Sequence, residues 1–242
     1  MRKLLSILLL FICYNAACAQ FNDTTHYHIN LNATGSINRA SDNNSYLLNN
    51  ALNFGIKEKS ITLNSTNNWV YGRQNNTLTN NDFSSALFIN LFKTFPHFYY
   101  WGLVNYNTSY SLKINSQLLA GGGVAYSVLD SKNAYLNFSD GVVYDQSDLT
   151  VDNVGYVYHT YRNSARINFH FSFNDVVVLE SSNFLQNSFD RSNDYIIKST
   201  TTASVKLRKW ISFTTALNYN KMSITHSENL LLTYGLTIDK YF

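Results

Sequence analysis

Cysteine and proline are almost missing from this chain of 242 residues, which has two of the first, Cys13 and Cys18, and one of the second, Pro96. Both cysteines lie ahead of Gln20, so beyond that point no disulfide framework and no cysteine-ligated metal site can be built. Charge is scarce as well: 14% of residues are Asp, Glu, Lys or Arg, against about a quarter in an ordinary soluble domain. After Tyr14 no run approaches the ~18 consecutive apolar residues of a membrane-spanning helix, which excludes a helical membrane protein. Tyr and Phe are abundant, at 18 and 16. A chain with few charges, many aromatics and no helical span points to β-structure.

The amino terminus reads as an export signal over residues 1–19. Arg2 and Lys3 precede an apolar run from Leu4 to Tyr14, and Ala17-Cys18-Ala19 supplies a small-x-small cleavage site before Gln20. The run is too short to cross a bilayer as a helix. A lipid anchor on Cys18 is the competing reading, and Asn15 stands where such a signal carries an aliphatic residue. Without Arg2 and Lys3 the 18 basic residues become 16, against 15 acidic ones. That near balance argues against a nucleic-acid partner.

Over residues 20–242 the dominant pattern is two-residue alternation, in twelve segments. The last is the clearest: Leu230, Leu232, Tyr234, Leu236, Ile238 and Phe242 share one face, and Asn229, Thr233, Gly235, Thr237 and Asp239 the other. The first places Tyr27, Ile29, Leu31 and Ala33 opposite His26, His28, Asn30 and Asn32. The second alternates around Tyr46 to Lys57. Further strands are expected near 60–71, 82–93, 98–108, 117–129, 133–145, 155–173, 176–187, 195–208, 211–222 and 229–242. Asp140 interrupts the apolar face of the seventh.

Links between segments alternate too. Those from Asn38 to Ser45, Gly72 to Asn81, Ser109 to Ser116, Gln146 to Val154, Ser188 to Asp194 and Ser223 to Glu228 read as longer and polar. Those at Glu58-Lys59, Thr94 to His97, Asp130 to Lys132, Asn174-Asp175 and Lys209-Trp210 read as tight. Long-short alternation is expected of a transmembrane barrel and not of a Greek-key sandwich. One face suits hydrocarbon and the other water, and in lipid only closure removes an unpaired sheet edge. The expected fold is an all-β, transmembrane, antiparallel up-and-down barrel of about 12 strands, in the bacterial outer membrane. Outer-membrane lipid is then its first partner.

Two resemblances agree with this. Phe242, with Ile238, Leu236 and Tyr234 on its face, resembles the terminal-strand signal that outer-membrane proteins present to their insertion machinery, although Lys240 departs from it. Leu119 to Tyr126 (LAGGGVAY), Tyr135 to Tyr144 with Asp140-Gly141, Arg162 to Phe171 (RNSARINFHF) and Asp194-Tyr195 resemble the family of salt-induced outer-membrane proteins, a domain of unknown function, over residues 117–242. That resemblance implies an outer-membrane barrel and brings no catalytic residue with it.

Chemistry-bearing motifs are weak. Barrel acyl hydrolases need Ser and His together with an orienting Asn or Asp, and none of the six histidines sits in such a local pattern. The chain is read as a non-enzyme. His26 and His28 share a face as metal ligands would, but no third ligand is visible and an ordinary polar position explains them better. Gly121-Gly122-Gly123 lacks the Lys-Ser/Thr of a phosphate loop and reads as a place where the wall bends or a bulky neighbour needs room. No cofactor is implied.

The inward positions Arg162, Arg166, His170, Lys198, Lys206 and Arg208, with Glu180, predict a basic-leaning lumen. Such a lumen either braces a closed barrel or selects anionic solutes. A narrow pore for small hydrophilic solutes is therefore one reading. A plugged structural or envelope-stress barrel with surface-binding loops is the other, motivated by Asn-rich loops such as Gly72 to Asn81. Three sets of contacts are expected. Asp239 should reach His26 or His28 at the seam of the first and last strands. Tyr99, Tyr100, Trp101 and Trp210 should mark one water boundary and Trp69 the other. Glu180 should contact Arg166 or His170, in a register placing Asn168 opposite Glu180.

Overall fold

A computed structural model describes residues 26–39, 43–95, 97–131 and 133–241, the side chains of 93–95 excepted. The export signal and Phe242 lie outside the described residues. Twelve strands run in chain order: β1 (Tyr27–Arg39), β2 (Asn44–Glu58), β3 (Ile61–Gln74), β4 (Thr77–Phe95), β5 (Phe98–Ser109), β6 (Ile114–Ser131), β7 (Ala134–Val151), β8 (Val154–Phe173), β9 (Val177–Ser188), β10 (Tyr195–Arg208), β11 (Ile211–Met222) and β12 (Ser227–Tyr241). Each pairs antiparallel with its chain neighbours, and β12 returns to β1 from His28↔Tyr241 to Gly35↔Tyr234, closing the barrel. Closure pairs both edges of every strand, which an open sheet in hydrocarbon cannot do.

Alternation separates two environments. Leu230, Leu232, Tyr234, Leu236 and Ile238 are exposed on the outside, as are Leu31, Leu52, Phe83, Val104 and Phe213. Inside, Thr34, Asn49, Asn105, Gln117, Thr214 and Thr233 are buried. Polar residues make up the larger share of the covered ones, and the exposed face is the apolar one, the reverse of a water-soluble barrel.

Two of the expected long links are instead two-residue turns. Asn75-Asn76 joins β3 to β4 and Asp152-Asn153 joins β7 to β8, and all four residues have positive φ, between 50° and 64°. That is the signature of a type I′ hairpin turn, whose twist matches the flanking strands and which Asn and Asp tolerate well. Polar residues such as Asn80, Asn81 and Gln146 therefore belong to the ladder. Polarity there marks where the strand leaves hydrocarbon, not where it leaves the sheet.

The aromatic expectation also needs correction. Tyr100 and Trp210 are exposed, but Tyr99 and Trp101 are buried in the lumen. Consecutive strand residues point to opposite faces, so Tyr99, Tyr100 and Trp101 could not all sit in one girdle. Trp69 is exposed toward the other end of the barrel, where its Nε1 donates to Asn81 at 3.1 Å. Trp101 explains part of the glycine run. It pairs with Gly123, which pairs with Gly141, and a Cβ at Gly141 would lie 2.6 Å from the Trp101 ring. The indole lies across a stretch of wall that has no side chains.

Candidate functional site

The lumen is built in layers. At the end where β1 begins and β12 finishes, the termini end, the closing seam brings Asp239 against His28, whose ring stacks on Tyr241 at 4.1 Å. His26 serves other partners: its Nδ1 meets the Lys57 carbonyl at 3.1 Å and lies 3.6 Å from Glu58. No group of three metal-ligating side chains occurs among the described residues.

Glu180 points inward and meets His170 Nδ1 at 2.8 Å, with His170 stacked on Tyr135. The register differs from the expected one by two residues. Phe173 pairs with Val177 and the Val176 amide donates to the Phe173 carbonyl at 3.0 Å, so His170, not Asn168, stands opposite Glu180. A shift of two keeps the carboxylate inside, whereas a shift of one would have turned it toward lipid.

Further along, a hydrophobic belt narrows the lumen: Ala86, Tyr99, Trp101, Leu103, Leu119, Ala125 and Val143, with Phe88 packed against them. Arg166 enters this belt. Its guanidinium carbon lies 5.5, 5.7 and 5.4 Å from the ring centres of Phe88, Trp101 and Phe184, and its Nε donates to Ser139 Oγ at 3.1 Å. Rings and hydroxyls surround this cation in place of a carboxylate. Beside the belt lies a cavity of about 690 Å³, lined by carboxamides and hydroxyls such as Asn68, Asn105, Asn168 and Thr200, by the two cations Arg166 and Lys198 and by the carboxylate of Asp82.

Arg162 has an opposite environment. Fully buried, it donates through Nε to Asp145 at 2.6 Å and through its two terminal nitrogens to Asp194 at 2.7 and 3.0 Å and to the Tyr158 hydroxyl at 2.5 Å. Gln117 adds a donor to both oxygens of Asp145, at 3.2 and 3.3 Å. One buried guanidinium thus holds two buried carboxylates, one on β7 and one in the link before β10. Neither partner was expected from the sequence, Asp145 because it was placed as the last residue of the seventh strand, next to a link, and Asp194 because it lies in a link.

At the end opposite the termini, the Tyr110–Lys113 link folds inward. Leu112 joins Ile114, Leu149, Tyr158, Ile196 and Met222 in an apolar cap. Asp82 accepts from Ser109 and Ser111, and Asn229 on β12 donates to Ser111 Oγ at 2.7 Å. β6 and β12 are half a turn apart in the ring, so this last bond ties the link to the opposite wall.

The remaining two basic positions fall at the termini end. Lys206 pairs with Ser212 on the inner register. Arg208 does not line the lumen: a bulge between Lys206 and Arg208 sets it opposite Ile211, whose β12 partner Ile238 is on the outer face. A bulge adds one residue, and one residue reverses the face.

Among solved structures, the chain is similar to the NanC porin, with 8% identity, 88% of this chain and 99% of that one covered, and a TM-score of 0.52. It is also similar to an outer membrane channel from Pseudomonas putida F1, with 7% identity, 94% and 100% covered, and a TM-score of 0.50. At these identities the likeness concerns the fold, and the fold is that of outer-membrane barrels. No curated protein matches the sequence. The profile described as "Protein of unknown function, DUF481" matches residues 23–230, nearly the whole barrel and more than the 117–242 segment that carries the sequence resemblance. The chain belongs to that family.

Proposed function

We propose that this barrel is a narrow pore for small hydrophilic solutes, set in the bacterial outer membrane with its termini toward the periplasm. The observation that carries the reading is the lumen cavity of about 690 Å³, whose wall combines Asn, Ser and Thr with apolar residues of the belt and the cap such as Phe88, Leu103 and Leu112. A barrel whose only task was to brace itself could fill that volume with side chains, as small barrels do. Carboxamides and hydroxyls exchange hydrogen bonds with water and with hydroxylated solutes at little cost. The function is passage and not catalysis, and the partners are outer-membrane lipid, the insertion machinery that would read the last strand, and the solutes themselves. Planar-bilayer recording of the refolded barrel tests it. Discrete conductance steps are expected, and their absence across salt and voltage overturns the pore.

One observation favours a second reading, the plugged structural or envelope-stress barrel. The apolar cap around Leu112 and the Asn229–Ser111 bond narrow the mouth away from the termini. The cap itself, rather than the Asn75-Asn76 turn, would be the surface offered to partners. Loss of envelope integrity on gene deletion, with solute uptake unchanged, decides for this reading.

A further inference from the structure

The two halves of the barrel repeat one another strand for strand. Leu52-Asn53-Phe54 on β2 matches Ile167-Asn168-Phe169 on β8, and Leu63, Ser65 and Asn67 on β3 match Leu179, Ser181 and Asn183 on β9. Asn105-Tyr106-Asn107 on β5 matches Asn218-Tyr219-Asn220 on β11, and Leu118-Leu119 with Gly123 on β6 matches Leu230-Leu231 with Gly235 on β12. The pairing register follows the same correspondence. Asn30↔Asn53 becomes Asn137↔Asn168, Ala86↔Asn105 becomes Thr200↔Asn218, and Asn105↔Leu119 becomes Asn218↔Leu231. Even the junctions agree, since Gly123↔Gly141 between β6 and β7 corresponds to Gly235↔Thr34 across the seam.

Hydrogen bonds repeat as well. Asn67 Nδ2 donates to Ser65 Oγ at 3.1 Å and its Oδ1 accepts from Ser85 at 2.7 Å, while Asn183 Nδ2 donates to Ser181 Oγ at 2.9 Å and its Oδ1 accepts from Ser199 at 2.6 Å. The barrel is two register-matched six-stranded halves, β1–β6 and β7–β12.

This repeat supplies an internal control on the lumen charges. The positions equivalent to Arg162, Arg166, Glu180 and Lys198 are Leu47, Ala51, Asn64 and Ser84. The first half forms the same ladder without any of those charges, so the wall does not need them for closure. Asp145 and Asp194 are both held by Arg162. Arg166 and Lys198 line the cavity, and neither forms an ion pair among the described residues; the one carboxylate in the same lining, Asp82, lies toward the cap and is taken up by the hydroxyls of Ser109 and Ser111. A cation in a restricted space without its own carboxylate is stabilised by an anion that arrives from solution.

We infer that Arg166 and Lys198 set the sign of what the lumen accepts, outweighing the single hydroxyl-bound carboxylate of Asp82 and drawing solutes with a carboxylate, phosphate or sulfate group along the β8–β10 wall while the carboxamides of the first half meet their hydroxyls. This rests on the pore reading, and the experiment separates the two. The refolded full barrel is recorded across a KCl gradient, and chloride-to-potassium permeability is taken from the reversal potential. The native protein favours chloride. Lys198→Ser, which installs the residue of the counterpart position 84, and Arg166→Gln each lower the ratio by up to about 16-fold, fourfold from chloride and fourfold from potassium, the worth of one charge met at ~5 Å across water. Arg208→Gln, on the outer face, leaves it unchanged. No conductance in any of the proteins overturns the pore and this inference with it. Conductance with a ratio that neither lumen variant moves overturns this inference and spares the pore. If Arg166→Gln does not fold, Lys198→Ser decides alone.

Discussion

Replacing Arg162 with Leu, the residue at its counterpart position 47, leaves a cavity and two carboxylates. The side chains of Arg162, Asp145 and Asp194 are 0%, 0% and 2% exposed. Water therefore cannot take over the charges once the guanidinium is gone. Breaking a buried pair by removing one partner costs about 3–5 kcal/mol, because the remaining charge is left uncompensated. Two carboxylates share this cation, which places the expected loss at the upper end. Urea titration of the barrel in bilayers or detergent, followed by tryptophan fluorescence, measures it. With a denaturant slope of about 2 kcal/mol per molar, the midpoint falls by about 2 M. Adding Asp145→Asn, the counterpart being Asn38, together with Asp194→Asn removes both orphan charges and recovers most of the loss. A single Arg162→Leu variant within about 1 kcal/mol of native, or a triple variant no better than the single, refutes the claim that Arg162 is what compensates these two buried carboxylates.

Gly141→Ala sets a methyl against the Trp101 ring and the backbone of Gly122 and Gly123 and is expected to destabilise by about 1–3 kcal/mol in the same titration. The equivalent Thr34 keeps its side chain because Thr214, not a tryptophan, stands at the position matching Trp101. Ser111→Ala removes the acceptor that Asn229 uses across the lumen; higher conductance or more frequent opening is expected, and identical traces would show that this bond does not hold the cap. Glu180→Gln leaves His170 with a neutral partner, and the Glu180 side chain is about half exposed, so stability should change by less than about 1 kcal/mol. A larger loss would mean that this pair braces the termini end.

Alternation, read with the links and the need to close a sheet edge in lipid, was enough to indicate twelve strands, their closure and most faces, because a period of two is local and the contrast between lipid and water acts on every residue. Leu230 to Ile238 and His28 to Asn32 already stated which side meets which solvent. The seam contact of Asp239 with His28 follows from the same rule, since both lie on inward positions of strands that closure must make neighbours. Only the tertiary structure decided the rest. Whether a polar stretch is loop or ladder depends on turn geometry, so β3 and β7 run farther than their apolar parts. A single bulged residue moved Arg208 to the outer face, an event to which composition is blind. Arg162 and Arg166 share one face of one strand, and their opposite environments come from Asp145 on a neighbouring strand, Asp194 in a link and a belt of rings contributed from across the ring of strands. The repeat of the two halves was hidden because its matches are short and unevenly spaced. It became visible through hydrogen-bond register, a property that no strand possesses until it is paired.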